Sequence, residues 1–392
     1  MTQERREIPF GRPWIGAEER AAVLEVLDSP ILTHGPQTAQ FEQDFAAFTG
    51  SREGAVALSS CMAALHLAYL ACGVGPGDEV LAPAQTHVAT AHAIEWTGAR
   101  PVFVDCDPQT GNVTAESLQR AITPRTKAIV AVHYAGVACE MDALAQIARD
   151  NGIILIEDAA QALGSTYRGR PLGAIGDLGA LSFHETKNVI SGEGGALLVR
   201  DAGEFADRAE IIREKGTNRT NFLRGNVDKY RWVDVGSSFL PSEIVAAFLW
   251  GQLGHAHDLL ARRLAIWDGY HQRFAALEAA GFVRRPIVPA HVTHNAHMYY
   301  LLLPDAAVRA DVLARLADLG VHAVFHYVPL HSSPAGERFG RTHGQSLPVT
   351  DDIAARLIRL PMHYGLDDAD LDAVAGAVTY AVMHATALRV AV

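Results

Sequence analysis

Lysine is nearly missing from this chain: among 392 residues it occurs only at Lys127, Lys187, Lys215 and Lys229. Chemistry that needs an amine nucleophile must choose among these four. Cysteine is as rare, at Cys61, Cys72, Cys106 and Cys139, and no two form a C-x-x-C pair, so neither a zinc knuckle nor a disulfide framework is indicated. That usage fits a reducing cytoplasm. No apolar run reaches the ~18 residues of a membrane helix. Glu4, Arg5, Arg6 and Glu7 stand where a signal peptide would be hydrophobic. We therefore expect a cytoplasmic protein without a membrane partner. Positive charge is in deficit too: 33 Lys and Arg against 44 Asp and Glu give a net charge of −11. This argues against nucleic-acid binding by phosphate neutralisation.

What is present is apolar material for more than one core, with 49% hydrophobic and 20% charged residues. From Ser60 to about Val199 short β-branched runs alternate with helical stretches, the rhythm of a parallel α/β sheet. The expected strands are Ala55 to Leu58, Glu79 to Ala82, Arg100 to Val104, Ala128 to Val132, Ile153 to Ile156, Ala180 to Phe183 and Gly195 to Val199. Crossover helices are expected at Ala63 to Ala71, Ala89 to Thr97, Ala115 to Ala121 and Ala143 to Asp150. Pro241 to Ala280 reads as a long helix leading to a smaller α+β domain, with strands at Met298 to Leu303 and His322 to Phe325 and helices at Ala307 to Leu319 and Leu366 to Ala385. The expected division is residues 1–245 and 246–392.

Lys187 follows the strand Ala180 to Phe183, and Asp158 follows Ile153 to Ile156. In an α/β sheet, ligands collect outside the carboxyl ends of strands. Alone, Lys187 reads as a solvated loop residue, and Asp158 as a helix cap or metal ligand. Together, an amine able to form a Schiff base and a carboxylate able to hold a pyridinium nitrogen are what pyridoxal phosphate requires. The coenzyme also needs an anion site. Ser60, Cys61 and Met62 open an apolar helix after a strand, so free N–H groups and a serine hydroxyl suit a phosphate, although a plain N-cap has the same pattern. His291, His294 and His297 lack a nearby carboxylate and an established helix, and are not read as a metal site. The basic run Arg213, Lys215, Arg219, Arg224, Lys229 and Arg231 is either a solvated face or a polar loop that recognises a diphosphate.

With these residues in place, the sequence resembles the sugar-nucleotide aminotransferases of the DegT/DnrJ/EryC1/StrS family, from Ile8-Pro9-Phe10 to Leu360-Pro361-Met362. It is most similar to the dTDP-4-amino-4,6-dideoxygalactose transaminase branch through His133 to Asp142, Ser182 to Asn188, Glu210 to Arg219, Asn295 to Met298 and Val324 to Tyr327. The resemblance implies a fold-type-I architecture with a mostly parallel seven-stranded sheet. It implies pyridoxal 5′-phosphate as cofactor, with pyridoxamine phosphate as its aminated form, and a homodimer with shared active sites. Lys187 is then the catalytic lysine, Asp158 the partner of the ring nitrogen and Gln161 a neighbour of the ring oxygen. Ser60, Cys61, Met62 and Ser182 surround the phosphate, and Ser238 reaches the partner's phosphate. Lys215, Arg219, Lys229, His326 and Tyr327 become substrate contacts. His87 stands where the family places a stacking aromatic, Met62 where it commonly has Thr, and Ser238 where it usually has Asn. The implied reaction passes an amino group from glutamate to dTDP-4-keto-6-deoxy-D-glucose. Amination at C3 and a non-catalytic coenzyme-binding regulator are the alternatives, and the gluco and galacto epimers both stay open. A dehydratase of the family has His in place of the lysine, and Lys187 argues against it.

Overall fold

The computed structural model describes residues 7–52, 54–200, 204–344 and 346–390. Residues 1–6, with Glu4, Arg5 and Arg6, lie outside the described residues. All seven expected strands form and join one sheet: β1 (Ala55–Leu58), β2 (Glu79–Pro83), β3 (Arg100–Val104), β4 (Thr126–Val132), β5 (Ile154–Asp158), β6 (Leu178–Ser182) and β7 (Gly195–Val199). Their order is β1-β7-β6-β5-β4-β2-β3. Only β7 runs against its neighbours; every other junction is parallel. Parallel neighbours force crossover helices onto both faces. Helices Cys61–Ala71, Val88–Glu95, Ala115–Ala121 and Met141–Asn151 supply them. The consequence for function is topological: β2, β4, β5 and β6 deliver their carboxyl ends to one edge.

Helices Ala17–Leu27 and Pro36–Thr49 precede the sheet. The second has no N-cap side chain of its own. Buried Glu243, more than 200 residues away, accepts hydrogen bonds from the N–H groups of Gly35, Gln37 and Thr38 at 2.9, 2.8 and 3.0 Å. This long-range cap satisfies donors that a helix start leaves free.

Where one long helix was expected the chain forms three, Glu243–Gly254, Ala256–Arg273 and Ala275–Ala279. The breaks fall at His255 and Phe274, whose ψ of 2° departs from helical values. His255 turns edge-on to Trp14, with ring centroids 5.0 Å apart, so tertiary packing wins over helix continuation. Beyond residue 286, β8 (Tyr300–Leu302) pairs antiparallel with β9 (Leu357–Arg359), and helices Ala306–Asp318 and Asp368–Val390 cover them. His322 to Phe325 is not the expected strand: it makes single bridges only, Val321 to Ile8 and Val324 to Arg359. Phe325 is 55% exposed, so the segment lacks a buried face to reward pairing. The core around the sheet includes Phe41, Leu81, Ile129, Leu155 and Phe183. A separate core gathers Trp267, Tyr299, Leu316 and Val378, and Ile8 belongs to it. Among the described residues no helix is long and apolar enough to cross a membrane.

Candidate active site

Asp158 closes β5 as a buried carboxylate. Its Oδ2 accepts a hydrogen bond from Thr90 Oγ1 at 2.7 Å, and Oδ1 accepts one from the Ala160 N–H at 3.1 Å. Thr90 is itself tied to Thr86 at 2.9 Å. No Lys, Arg or His lies within 4 Å of Asp158 among the described residues. A buried anion without a cation is costly, so an acidic N–H from outside the chain suits this pocket. The preceding residue, Glu157, is a second buried carboxylate of β5, directed to the opposite face of the sheet. His133 Nε2 donates to Glu157 at 2.8 Å, and the N–H groups of Gly173, Ile175 and Gly176 also donate to Glu157 at 2.8, 2.7 and 2.6 Å. Those bonds hold the Glu157 carboxyl below its usual range although burial alone pushes it up.

Lys187 lies five residues past β6, on a turn where its N–H donates to the His184 carbonyl at 2.9 Å. Desolvation lowers its ammonium below the ordinary lysine value, with the Arg359 charge adding to the effect and Asp158 opposing it. The amine pairs with no carboxylate among the described residues. Cys61 is close enough to feel both Asp158 and Lys187, and burial first, Asp158 second, push its thiol well up. It stays a neutral thiol.

Ser60 caps helix Cys61–Ala71, its Oγ accepting from the Ala63 N–H at 3.1 Å. The helix start leaves the Cys61 and Met62 N–H groups without an intrahelical acceptor. Met62 itself is half-buried on the adjoining core. Gly195 pairs with Ser182 across β6 and β7, and a Cβ there would lie 2.3 Å from the Ser60 carbonyl carbon. The missing side chain at Gly195 therefore lets Ser182 and the helix start share one corner. This corner offers N–H groups, two hydroxyls and a helix dipole to an anion.

Gln161 joins the two walls of the site: its Oε1 accepts from the Ala135 N–H at 2.8 Å and its Nε2 donates to Tyr327 Oη at 2.9 Å. Tyr327 has φ of 36°, a strained value for a non-glycine residue, and stacks on His326 at 3.6 Å between centroids. His326 Nδ1 meets Tyr134 Oη at 2.7 Å. Burial first, then the Arg359 and Lys187 charges, hold His326 well below its ordinary value. His87 caps helix Val88–Glu95, with its ring 5.9 Å from that of Tyr327. Desolvation and then Lys187 lower its pKa.

The fold thus gathers Lys187, Asp158, Gln161, His87, Ser60, Cys61, Met62, Ser182, His326 and Tyr327. Lys215, Arg219, Lys229 and Ser238 lie apart on an exposed segment; of all the expected site residues only Lys187 lines the cavity bounded by Arg263 and Arg359. Arg219 pairs with Glu214 at 2.5 Å, and Ser238 bridges the Glu214 main chain. The neighbouring Phe239 carbonyl receives the Ser59 N–H at 2.7 Å, which anchors this segment beside the start of helix Cys61–Ala71. The three spaced histidines diverge: His291 meets Glu140, His294 packs on Trp267 and His297 faces Asn188. Thr90, Asn188 and Arg359 were not singled out by sequence. The sign at Arg359 was available, a cation inside the apolar run Leu357-Ile358-Arg359-Leu360.

Comparison with known proteins bears on this arrangement. The profile of the DegT/DnrJ/EryC1/StrS aminotransferase family matches residues 13–379. The spore coat polysaccharide biosynthesis protein SpsC of Bacillus subtilis (strain 168) is 36% identical over 386 residues, covering 96% of this chain and 98% of its own. Aminotransferase TlmJ of Streptoalloteichus hindustanus superposes with a TM-score of 0.88 at 36% identity, covering 97% of this chain and 100% of its own. The putative sugar aminotransferase Spr1654 of Streptococcus pneumoniae, solved in a PMP-form, gives 0.90 at 28% identity, over 98% of this chain and 100% of its own. An unpaired buried carboxylate, a desolvated lysine and an anion corner fit pyridoxal phosphate on this chain's own geometry. The chain belongs to the DegT/DnrJ/EryC1/StrS aminotransferase family, and is a pyridoxal-phosphate-dependent transaminase of the fold-type-I architecture.

Proposed function

We propose that this enzyme transfers an amino group from glutamate to C4 of dTDP-4-keto-6-deoxy-D-glucose. The products are 2-oxoglutarate and dTDP-4-amino-4,6-dideoxy-D-hexose, for deoxyaminosugar biosynthesis. The observation that carries the transaminase chemistry is desolvated Lys187 placed close enough to feel the charge of buried Asp158, which has no cation within 4 Å among the described residues. The descriptions of Spr1654 and SpsC support a sugar acceptor, and the strings shared with the 4-amino-4,6-dideoxygalactose branch support amination at C4.

In this reading Ser60, Ser182 and the Cys61 and Met62 N–H groups hold the coenzyme phosphate. Asp158 faces the ring nitrogen, His87 a ring face and Gln161 the ring oxygen. When bound, the coenzyme supplies an electron sink and a carrier for the amino group. Lys187 does the proton work. Its lowered pKa leaves more neutral amine near pH 7, so Nζ takes the Cα proton of the donor and later delivers a proton to C4 of the sugar. Thr90 and the Ala160 N–H keep Asp158 oriented throughout. His326 and Tyr327 form the wall against which the sugar rests. Lys215, Arg219 and Lys229 meet the diphosphate, and Ser238 the phosphate, in a partner protomer. Residues 1–245 then carry the coenzyme, residues 246–392 close the site, and the four buried, unpaired cysteines suit a cytoplasmic setting.

NMR of the product from dTDP-4-keto-6-deoxy-D-glucose and glutamate tests this. Large H3–H4 and H4–H5 couplings identify the gluco amine, and a small H3–H4 or H4–H5 coupling the galacto amine. Absence of any aminated sugar from active, coenzyme-loaded protein overturns the substrate.

A further inference from the structure

Three arginines, Arg12, Arg263 and Arg359, line the cavity that holds Lys187, and the last two are used differently. Arg263 is spent on the backbone: its guanidinium donates to the carbonyls of Ala296, Met362 and His297 at 3.2, 3.2 and 2.6 Å. Arg359, at the end of β9, makes no such bonds. Its main-chain N–H donates to the Val324 carbonyl at 2.7 Å and its guanidinium lies 4.8 Å from the centroid of the Phe10 ring. Its buried Nε has no acceptor, and no Asp or Glu lies within 4 Å among the described residues. Lys187 and Arg263 add positive charge around it, and the one carboxylate lining the cavity among the described residues, Glu185, is exposed and not within ion-pair distance of the guanidinium. An arginine stays ionised in proteins, so a guanidinium placed like this calls for an anion from outside the chain.

The anion is constrained by place and size. The coenzyme phosphate has its own corner at Ser60 and Ser182, and neither residue lines this cavity. The cavity, of about 280 Å³, is at the small end for ligand pockets, suited to an amino acid and not to a nucleotide. Exposed Arg12 stands on the same wall as His363, a 6% exposed imidazole with no close hydrogen-bond partner at either ring nitrogen. We propose that Arg359 binds one carboxylate of the donor glutamate beside Lys187, while Arg12 and His363 receive the other. The assignment rests on the reading of Lys187 as the site of amino exchange.

Glutarate, an unreactive dicarboxylate, is titrated into coenzyme-loaded protein by calorimetry, with butyrate as the monocarboxylate control and dTDP as the nucleotide control. Arg359→Met should weaken glutarate about 100-fold, and Arg359→Lys, which keeps charge but loses the planar fork, about tenfold. Arg12→Met should bring glutarate close to butyrate. Affinity for dTDP and coenzyme content should stay at wild-type levels. Without ligand, Arg359→Met should melt at or above the wild-type temperature, because it removes an uncompensated buried charge. Glutarate should raise the melting temperature of wild type alone. Unchanged glutarate affinity in Arg359→Met, or a loss that falls on dTDP instead, overturns the proposal. Failure of wild type to exchange amino groups with any amino acid would defeat the functional reading separately, because glutarate binding is scored without turnover.

Discussion

Asp158 shows how a single side chain is prepared for its role. Thr90 and the Ala160 N–H fix one oxygen each, so the carboxylate cannot rotate away from its ligand. Replacing Thr90 by Val removes a hydrogen bond to a charged group, worth about 1.5–3 kcal/mol. Coenzyme affinity, measured by equilibrium dialysis, should fall about tenfold or more while the fold persists. His87 allows a pH test. Its pKa lies below the ordinary 6.5, lowered by desolvation first and the Lys187 charge second, so it is neutral at pH 7 and gains charge only as pH falls through the lowered value. That new cation faces Lys187 and His184, with Asp158 the one opposing charge. The rate should drop on the acid side below pH 6.5, and His87→Phe should flatten that limb. Lys187 and Asp158 were legible from sequence because scarcity and strand-end position marked them. Thr90 was not, because a threonine inside a helix has no local pattern that reveals a carboxylate 68 residues away.

At the scale of elements, the phosphate corner depends on how closely β7 approaches the start of helix Cys61–Ala71. Gly195→Ala would place a Cβ 2.3 Å from the Ser60 carbonyl carbon. The contact is with backbone, which cannot swing aside, so the strand or the helix start must move. We expect a loss of about 1–3 kcal/mol in stability together with reduced coenzyme content, measured by denaturant melts and absorbance. All seven sheet strands could be read from sequence because buried parallel strands are short apolar runs bounded by turns. The long helix and the strand at His322 to Phe325 could not be read correctly. Trp14 packing at His255 and the exposure of Phe325 decided them, and both are set by tertiary contacts.

For the whole molecule, the segment from Lys215 to Ser238 carries exposed apolar side chains. Trp232 is 82% exposed, and Tyr230, Val233 and Val235 are exposed beside it. The same segment holds Lys215, Arg219, Lys229 and Ser238, the expected site residues that lie apart from Lys187 and Asp158. The proposed homodimer would bury this patch and bring these residues to the partner's site. Trp232→Glu should shift the protein to monomer in analytical ultracentrifugation and reduce turnover at least tenfold, with the melting transition retained. A dimeric Trp232→Glu with normal turnover would refute shared sites. Sequence marked Lys215, Arg219 and Lys229 as part of a basic run and Ser238 only through family resemblance, since no periodicity in one chain describes a surface completed by another.

In the proposed function Lys187 performs proton transfer in amino exchange. The most direct test follows the absorbance of the coenzyme-loaded protein after addition of glutamate alone, in wild type and Lys187→Ala. The account predicts conversion to the aminated coenzyme with release of 2-oxoglutarate in wild type, and a rate about 10³-fold lower or less in the variant. Conversion by Lys187→Ala at a rate near that of wild type would contradict it.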